Sequence, residues 1–388
     1  MQIPEVPETQ TVLLLHAPKE RYQVTQDFPV PEFSHDRELL VRTRAIGLNP
    51  IDWKAPDFNF GIPELPYISG RELSGDVVKL NKGASRLSPG DKVLVISTDY
   101  RDLRKGAYQE YVVSWDFNAV RIPQHLSWED GATLGVAFVA AALALGVCMG
   151  VDFSNVEDGP DLLQLVRQVP ADILPADAGD WLAIWGGSAT SANLAIQLAK
   201  LAGLKVVAVV DKAKHGLRIS NHQVIRPDLL VDSHDPQRAV DIIRGNLGSK
   251  LRFGFDTRGK DTAAWLLQAL SPGNLGGKGV DTAGTPPSPP STPPDSGLLS
   301  SHLIGLTGLP KQTPPEGSVF HTVPIKLFHE VPAIGESLSV WLEKLLEKKL
   351  LSPPEIVGIE TGLENINSGL DRMRNGEISG GKLVVRLE

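Results

Sequence analysis

Residues 181–203, WLAIWGGSATSANLAIQLAKLAG, decide the fold of this 388-residue chain. An apolar run leads into Gly186-Gly187-Ser188-Ala189-Thr190-Ser191-Ala192, after which Leu194, Leu198 and Leu201 return at helical spacing with Lys200 on the polar side. The pattern predicts a strand, a tight turn and a helix. Small residues let the backbone approach a ligand closely, and the free amides and dipole of a helix start favour a phosphate there. The expected ligand is a nucleotide. In the glycine spacing of a dinucleotide fingerprint, positions 186, 189 and 192 hold Gly, Ala and Ala. Ser188, Thr190 and Ser191 add hydroxyl donors to that turn. An ordinary helix N-terminus capped by Ser or Thr is the competing reading of the same residues.

The length suffices for two domains with full cores, and 41% hydrophobic with 22% charged residues is ordinary for a globular protein. A net charge of −8 with scattered Lys and Arg argues against a nucleic-acid surface, which needs a concentrated basic face. The start, MQIPEVPETQ, lacks the basic and apolar segments of a signal peptide. The single cysteine, Cys148, excludes an internal disulfide and a multi-thiolate zinc site. A reducing, cytoplasmic compartment is expected. Residues 134–151, LGVAFVAAALALGVCMGV, carry no charge and reach the lower limit of a membrane span. Their Ala and Gly content fits a helix buried between domains instead, and no membrane association is expected.

Along the chain, residues 9–125 read as short strands separated by Gly and Pro. Thr11 to Leu15, Glu38 to Arg42, Gly75 to Lys79, Lys92 to Val95 and Tyr108 to Val113 are the clearest. Ser127 is a candidate N-cap for the apolar helix. Residues 152–180 form an acidic, Pro-containing insertion, read as a solvated connection with a short helix near Leu162 to Val166. Beyond the Gly turn, strands and helices alternate: Lys205 to Val210, Asp228 to Val231, a helix near Gln237 to Asn246, Leu251 to Asp256, and a helix from Asp261 to Leu270. His302 to Gly305 is expected as the last strand of that sheet. This order predicts a doubly wound parallel sheet with its ligand at the carboxyl ends of the strands. Residues 284–297 are Pro-rich and expected to form a surface loop. A helix over Ile334 to Leu350, a helix over Glu364 to Arg374 and a strand over Lys382 to Leu387 close the chain.

At this point the chain resembles the medium-chain dehydrogenase/reductase superfamily. The resemblance rests on residues 47–54 (GLNPIDWK), 70–75 (GRELSG), 90–93 (GDKV), 106–108 (GAY), the turn at 186–192 and the ending 376–387, GEISGGKLVVRL. The turn and the ending look most like the fungal trans-acting enoyl reductases that serve polyketide synthases, with quinone oxidoreductases next. The resemblance implies an α/β architecture: a GroES-like β-rich domain over 1–130, completed by 311–388, and a Rossmann domain over 131–310 with the insertion at 152–180. In the zinc alcohol dehydrogenases a Cys stands where this chain has Asn49 and a His where it has Arg71. A guanidinium cannot ligate zinc and an amide is a poor ligand, so no metal is expected.

The activity implied is hydride delivery from NADPH to an activated C=C bond of an enoyl thioester, enone or quinone, on a small-molecule or carrier-bound acyl substrate, possibly with a polyketide synthase as partner. Asn49, Asp52 and Lys54 are expected to line the catalytic site, with Lys54 steadying the developing enolate or relaying a proton. Related enoyl reductases place a hydroxyl residue on the interdomain helix, where this chain has Ala140, and begin that stretch with Pro, where it has Gly135. Asp211, Lys212, Lys214 and His215 follow the strand ending at Val210. An acid there suits the ribose hydroxyls of NADH, whereas the cations suit the 2′-phosphate of NADPH, and both cofactors stay open. A second reading from another class is a non-redox protein on a reductase scaffold, steering a pericyclic or isomerising step or docking to a synthase.

Overall fold

The computed structural model describes residues 5–83, 86–166, 174–270, 273–274 and 298–387. The Pro-rich stretch expected as a loop and residues 167–173 of the insertion lie outside them. Two sheets organise the described chain. A seven-stranded sheet takes Glu38–Gly47 as its central strand, paired antiparallel with Glu72–Leu80, Tyr111–Trp115 and Lys382–Arg386. Leu39, Val41, Leu73, Val77, Val93, Val95 and Val112 fill its core, the β-branched and Leu-rich set that suits a half-buried pleated surface. The C-terminal strand Lys382–Arg386 and its parallel neighbour Ile356–Thr361 complete this sheet, as the resemblance implied. Thr9–Leu14 and Gln23–Pro29 form a separate hairpin.

The second sheet has six parallel strands in the order Leu229–Asp232, Lys205–Val210, Trp181–Trp185, Leu251–Asp256, Ser301–Gly305, Ser318–Thr322. The strand order reverses beside Trp181–Trp185, which places its following turn at the crevice where doubly wound sheets bind ligands. Between the sheets runs the helix Gly135–Leu143, extended by a π-helical turn over Ala144–Cys148. Among the described residues, the one helical stretch apolar enough to cross a membrane, Trp128–Cys148, has 89% of its most apolar window buried inside the protein. It is a core helix packed on Thr190–Leu201, as its Ala and Gly content suggested.

Two expectations are corrected. His302 to Gly305 is not the last strand of the parallel sheet, because Ser318–Thr322 pairs with it in register and carries that sheet beyond residue 310. Its sequence, Ser-Val-Phe-His-Thr, is half-buried up to an exposed Thr322 and mixes polar with apolar residues, so it lacks the apolar run that marks a central strand. Tyr108, expected to begin a strand, precedes it; the strand starts at Tyr111. The Asn49-Pro50 pair begins the helix Pro50–Phe58, with Pro at the first helical position, where its missing N–H costs nothing.

The edge strand brings two histidines together. His302 Nδ1 and His321 Nε2 lie 2.9 Å apart, the rings stack at 5.2 Å, and His302 stacks on Phe253 from the other side at 5.4 Å. Burial first, then the neighbouring His321 and Arg252, pushes His302 down to about 4, and burial also lowers His321. The folded state therefore refuses protons that the unfolded chain accepts below its ordinary histidine value. Stability is complete above pH 6.5 and falls between 6.5 and about 4, at up to roughly 1.4 kcal/mol per pH unit for each histidine. Thermal unfolding from pH 7 to 5 should show this loss, and His302→Asn should reduce it; an unchanged pH slope would contradict the assignment.

Candidate active site

One candidate wall is built from the turn after Trp181–Trp185. Gly186 adopts φ +83°, a left-handed conformation that glycine enters freely. Thr257 fixes it by donating its hydroxyl to the carbonyls of Trp185 and Gly186, both at 3.1 Å. A Cβ on Gly187 would sit 2.9 Å from Ala208 Cβ and 3.0 Å from Val210, so the second glycine lets the turn lie against the neighbouring strand. The helix Thr190–Leu201 has Ala189 at its N-cap with no side-chain cap. A Ser- or Thr-capped terminus is thus not what these residues form. Ser188, Ala189 and Thr190 are partly exposed, whereas Ser191 is buried. At the end of the adjacent strand the buried Asp256 accepts from the amides of Arg258 and Gly259, and its Oδ2 has no partner. Uncapped amides, a glycine that cannot carry a side chain and an orphaned polar atom fit a dinucleotide's phosphates and hydroxyls.

One strand over, Asp211 caps the helix Lys212–Asn221 by accepting from the Lys214 amide at 3.1 Å. Its carboxylate also lies 3.6 Å from His234 Nε2 and 3.8 Å from Lys214 Nζ. Hydrogen bonding to Asp232 and the charge of Asp211 hold His234 above its ordinary value. Lys212 and Lys214 are exposed. This helix was not legible because it has only two large apolar side chains, of which Ile219 is buried and Leu217 faces solvent. His215 Nε2, 2.8 Å from Ser379 Oγ, ties it to the loop before the C-terminal strand.

The opposing wall belongs to the seven-stranded sheet. Asn49 donates from Nδ2 to Glu72 Oε1 at 2.9 Å, and its Oδ1 accepts from Lys382 Nζ at 2.7 Å. Lys382 also pairs with Glu72 itself, and both residues are buried. Glu72 Oε2 accepts from the Val136 amide at 2.9 Å, at the start of the interdomain helix. Gly135 leaves room for this, since a Cβ there would press on Ile96 and lie 3.1 Å from Glu72 Oε2. Ala140 is buried on the same helix. The oxygens that could offer themselves to a cation near Asn49 are thus already bound to an ammonium. Among the described residues no cluster of three or more His, Cys, Asp or Glu could hold a metal.

Asp52 is also buried. Its Oδ2 accepts from the Asn49 amide at 2.8 Å, closing the first turn of the helix, while its Oδ1 and the nearby Tyr108 hydroxyl have no partner. Burial pushes Asp52 up to about 6, against the Asn49 amide and the Arg71 charge, which hold it down. Lys54, half-buried on the same helix, has no ion-pair partner among the described residues; its ammonium lies 5.6 Å from the Trp53 ring centre. The three expected catalytic residues therefore share one helix start, but Asn49 and Asp52 are engaged in structural bonds and Lys54 is bonded to neither. Sequence reasoning quoted Glu72 and Lys382 only as motif letters. The signal that marked them was a charge at the first position of a strand whose next residues are mostly apolar or small, ELSG and KLVV.

Comparison with known proteins bears on the family and the fold. Residues 35–124 match the family model of the alcohol dehydrogenase GroES-like domain. A trans-enoyl reductase of Trichoderma harzianum is 30% identical over 284 residues, 71% of this chain and 70% of that protein. A trans-enoyl reductase of Aspergillus sclerotiorum is 28% identical over 94% of this chain and 96% of that protein. The crystal structure of the CurK enoyl reductase superposes with a TM-score of 0.68 at 14% identity, covering 98% of this chain and 99% of that one, and shares the fold.

The Glu72–Lys382 pair generates a stability test. Glu72→Gln leaves a buried ammonium short of its counter-charge, which should cost about 3–5 kcal/mol in urea unfolding. Pairing Glu72→Leu with Lys382→Met should recover part of that loss, because no uncompensated charge remains. Equal stability of the native protein and Glu72→Gln would show that the pair does not hold the two units together.

Proposed function

The chain belongs to the trans-enoyl reductase branch of the medium-chain dehydrogenase/reductase superfamily, and from that membership we propose that it is an NADPH-dependent enoyl reductase that works without a metal ion. The observation that carries the reading is the uncapped, glycine-tightened turn over 186–192 facing a wall whose cation is a buried lysine. In this reading Gly186, Gly187, Ser188, Ala189, Thr190 and Ser191 hold the pyrophosphate, and Lys212 and Lys214 hold the 2′-phosphate. Asp211, already committed to its helix cap and to two cationic neighbours, has less to offer a ribose, which favours NADPH over NADH. When bound, the reduced nicotinamide supplies hydride to the β-carbon of an α,β-unsaturated thioester.

The remaining work falls to the chain's own residues. Negative charge gathers on the thioester oxygen, and Lys54, which has no carboxylate partner among the described residues, is the residue to which this reading gives its stabilisation. Asn49 and Asp52 set the start of the Lys54 helix and so orient it. Ala140 offers no proton, so the α-carbon receives its proton from Lys54 or from water. A carrier-bound acyl chain, presented by a polyketide synthase in the cytoplasm, is the substrate class this reading favours.

With NADPH and crotonyl thioesters, the protein should consume the reduced cofactor. Lys54→Ala should lower kcat by about a hundredfold while cofactor affinity, followed by Trp fluorescence, stays unchanged; undiminished turnover would remove Lys54 from the mechanism. Lys212→Ala combined with Lys214→Ala should weaken NADPH binding by about tenfold and leave NADH binding as it was. Binding of neither nucleotide would favour the non-redox reading of the scaffold.

A further inference from the structure

Three cations converge on one aromatic ring where the two sheets face each other. Tyr100 lies on the loop after the strand Lys92–Ile96, and the Arg71 guanidinium is 5.3 Å from its ring centre. The Arg101 guanidinium is at 5.6 Å and the Lys326 ammonium at 5.7 Å. Arg71 and Arg101 come from the seven-stranded unit, whereas Lys326 follows Ser318–Thr322, the edge strand of the parallel sheet. The same junction is tied by Thr98 Oγ1 and His329 Nδ1, 2.8 Å apart. Among the described residues none of the three cations has a carboxylate within ion-pair distance. The neighbouring Asp99 is spent on Lys105 at 2.9 Å and lies 4.0 Å from His329. Asp52, whose charge Arg71 senses, is buried behind the site.

Like charges held this close repel one another, and neither chain segment supplies the compensating charge. An anionic ligand would supply it, and the half-buried position of Arg71 and Lys326 strengthens that attraction relative to open solvent. The cofactor's phosphates do not fill the role. The turn after Trp181–Trp185 and the edge strand are three strand positions apart, roughly 14 Å at the usual spacing. An acyl chain brings no charge of its own, but the arm that carries it does.

We propose that Arg71, Arg101 and Lys326, gathered around Tyr100, form a subsite for the phosphate of a 4′-phosphopantetheine arm, so that the enzyme recognises its substrate by the carrier's tether. This inference rests on the enoyl reductase reading for its choice of anion. Arginine pairs with phosphate through two parallel N–H donors, and Lys326 adds a point charge from the other domain, so the arm would be gripped from both sides of the cleft mouth.

The test compares crotonyl-pantetheine with crotonyl-4′-phosphopantetheine at saturating NADPH, alongside calorimetric binding of pantetheine and 4′-phosphopantetheine to the full chain. The phosphorylated acceptor should show a KM about tenfold lower at equal kcat. Arg101→Ala and Lys326→Ala should each erase that advantage, leave the KM for crotonyl-pantetheine unchanged, and Arg101→Lys should restore part of it. Equal KM and equal binding for the phosphorylated and plain forms would overturn the subsite, as would variants that weaken both forms alike. If neither acceptor is reduced but 4′-phosphopantetheine still binds more tightly through Arg101 and Lys326, the subsite stands and the reductase reading falls.

Discussion

The structure depends on a single buried carboxylate. Glu72 accepts from Asn49 and Lys382 through one oxygen and from the Val136 amide through the other. Four separate pieces of chain meet there: the start of the Pro50–Phe58 helix, the strand Glu72–Leu80, the interdomain helix and the C-terminal strand. A charge this deep is tolerated only when its partners are all present, and one of them lies 310 residues away in sequence. The carboxylate also faces the N-terminus of the interdomain helix, whose dipole favours a negative charge. Closing the C-terminal strand onto the first sheet and joining the two units are therefore one electrostatic event.

That arrangement also bears on the chemistry of the cleft. The Lys382 ammonium, bound to Asn49 and paired with Glu72, lies beside the start of the helix that carries Lys54. Because the carboxylate balances it, the pair acts on its surroundings through hydrogen bonds rather than through a net charge. The Asn49 side chain is thereby held on both its donor and its acceptor side.

The parallel sheet was readable from the sequence because Trp181–Trp185 and Lys205–Val210 are near-continuous apolar runs, and Leu251–Asp256, although broken by Arg252 and Gly254, ends where its residues suggest. The two-unit division was readable from motif order. The edges were not. Ile356–Thr361 alternates half-buried and exposed residues over only six positions, and Ser318–Thr322 and Gln23–Pro29 show no period of two at all, so none carries a clear strand signal. The phosphate turn was legible as a turn, but the packing role belongs to Gly187 rather than to positions 189 and 192 alone. Glu72, Lys382 and Tyr100 escaped functional notice for a different reason. Their meaning lies in partners remote in sequence, which spacing along the chain does not encode.

The cleft combines a rigid back with a polar rim. At the back, Trp341 packs on Phe153 at 4.6 Å and Phe138 at 5.6 Å and donates its ring N–H to the Val156 carbonyl at 2.9 Å. Nearby, Asn118 and Ser339 bond backbone carbonyls across the two units. Interiors packed at this density do not slide, so the spine fixes the distance between the walls. Toward the front the contacts become single hydrogen bonds, such as Thr98 to His329 and His215 to Ser379. Substitution at the rim changes what the cleft admits without loosening the spine, because the two sets share no side chains. Arg71, Tyr100 and Lys326 can therefore be replaced without touching the packing around Glu72 and Trp341, to which the fold answers.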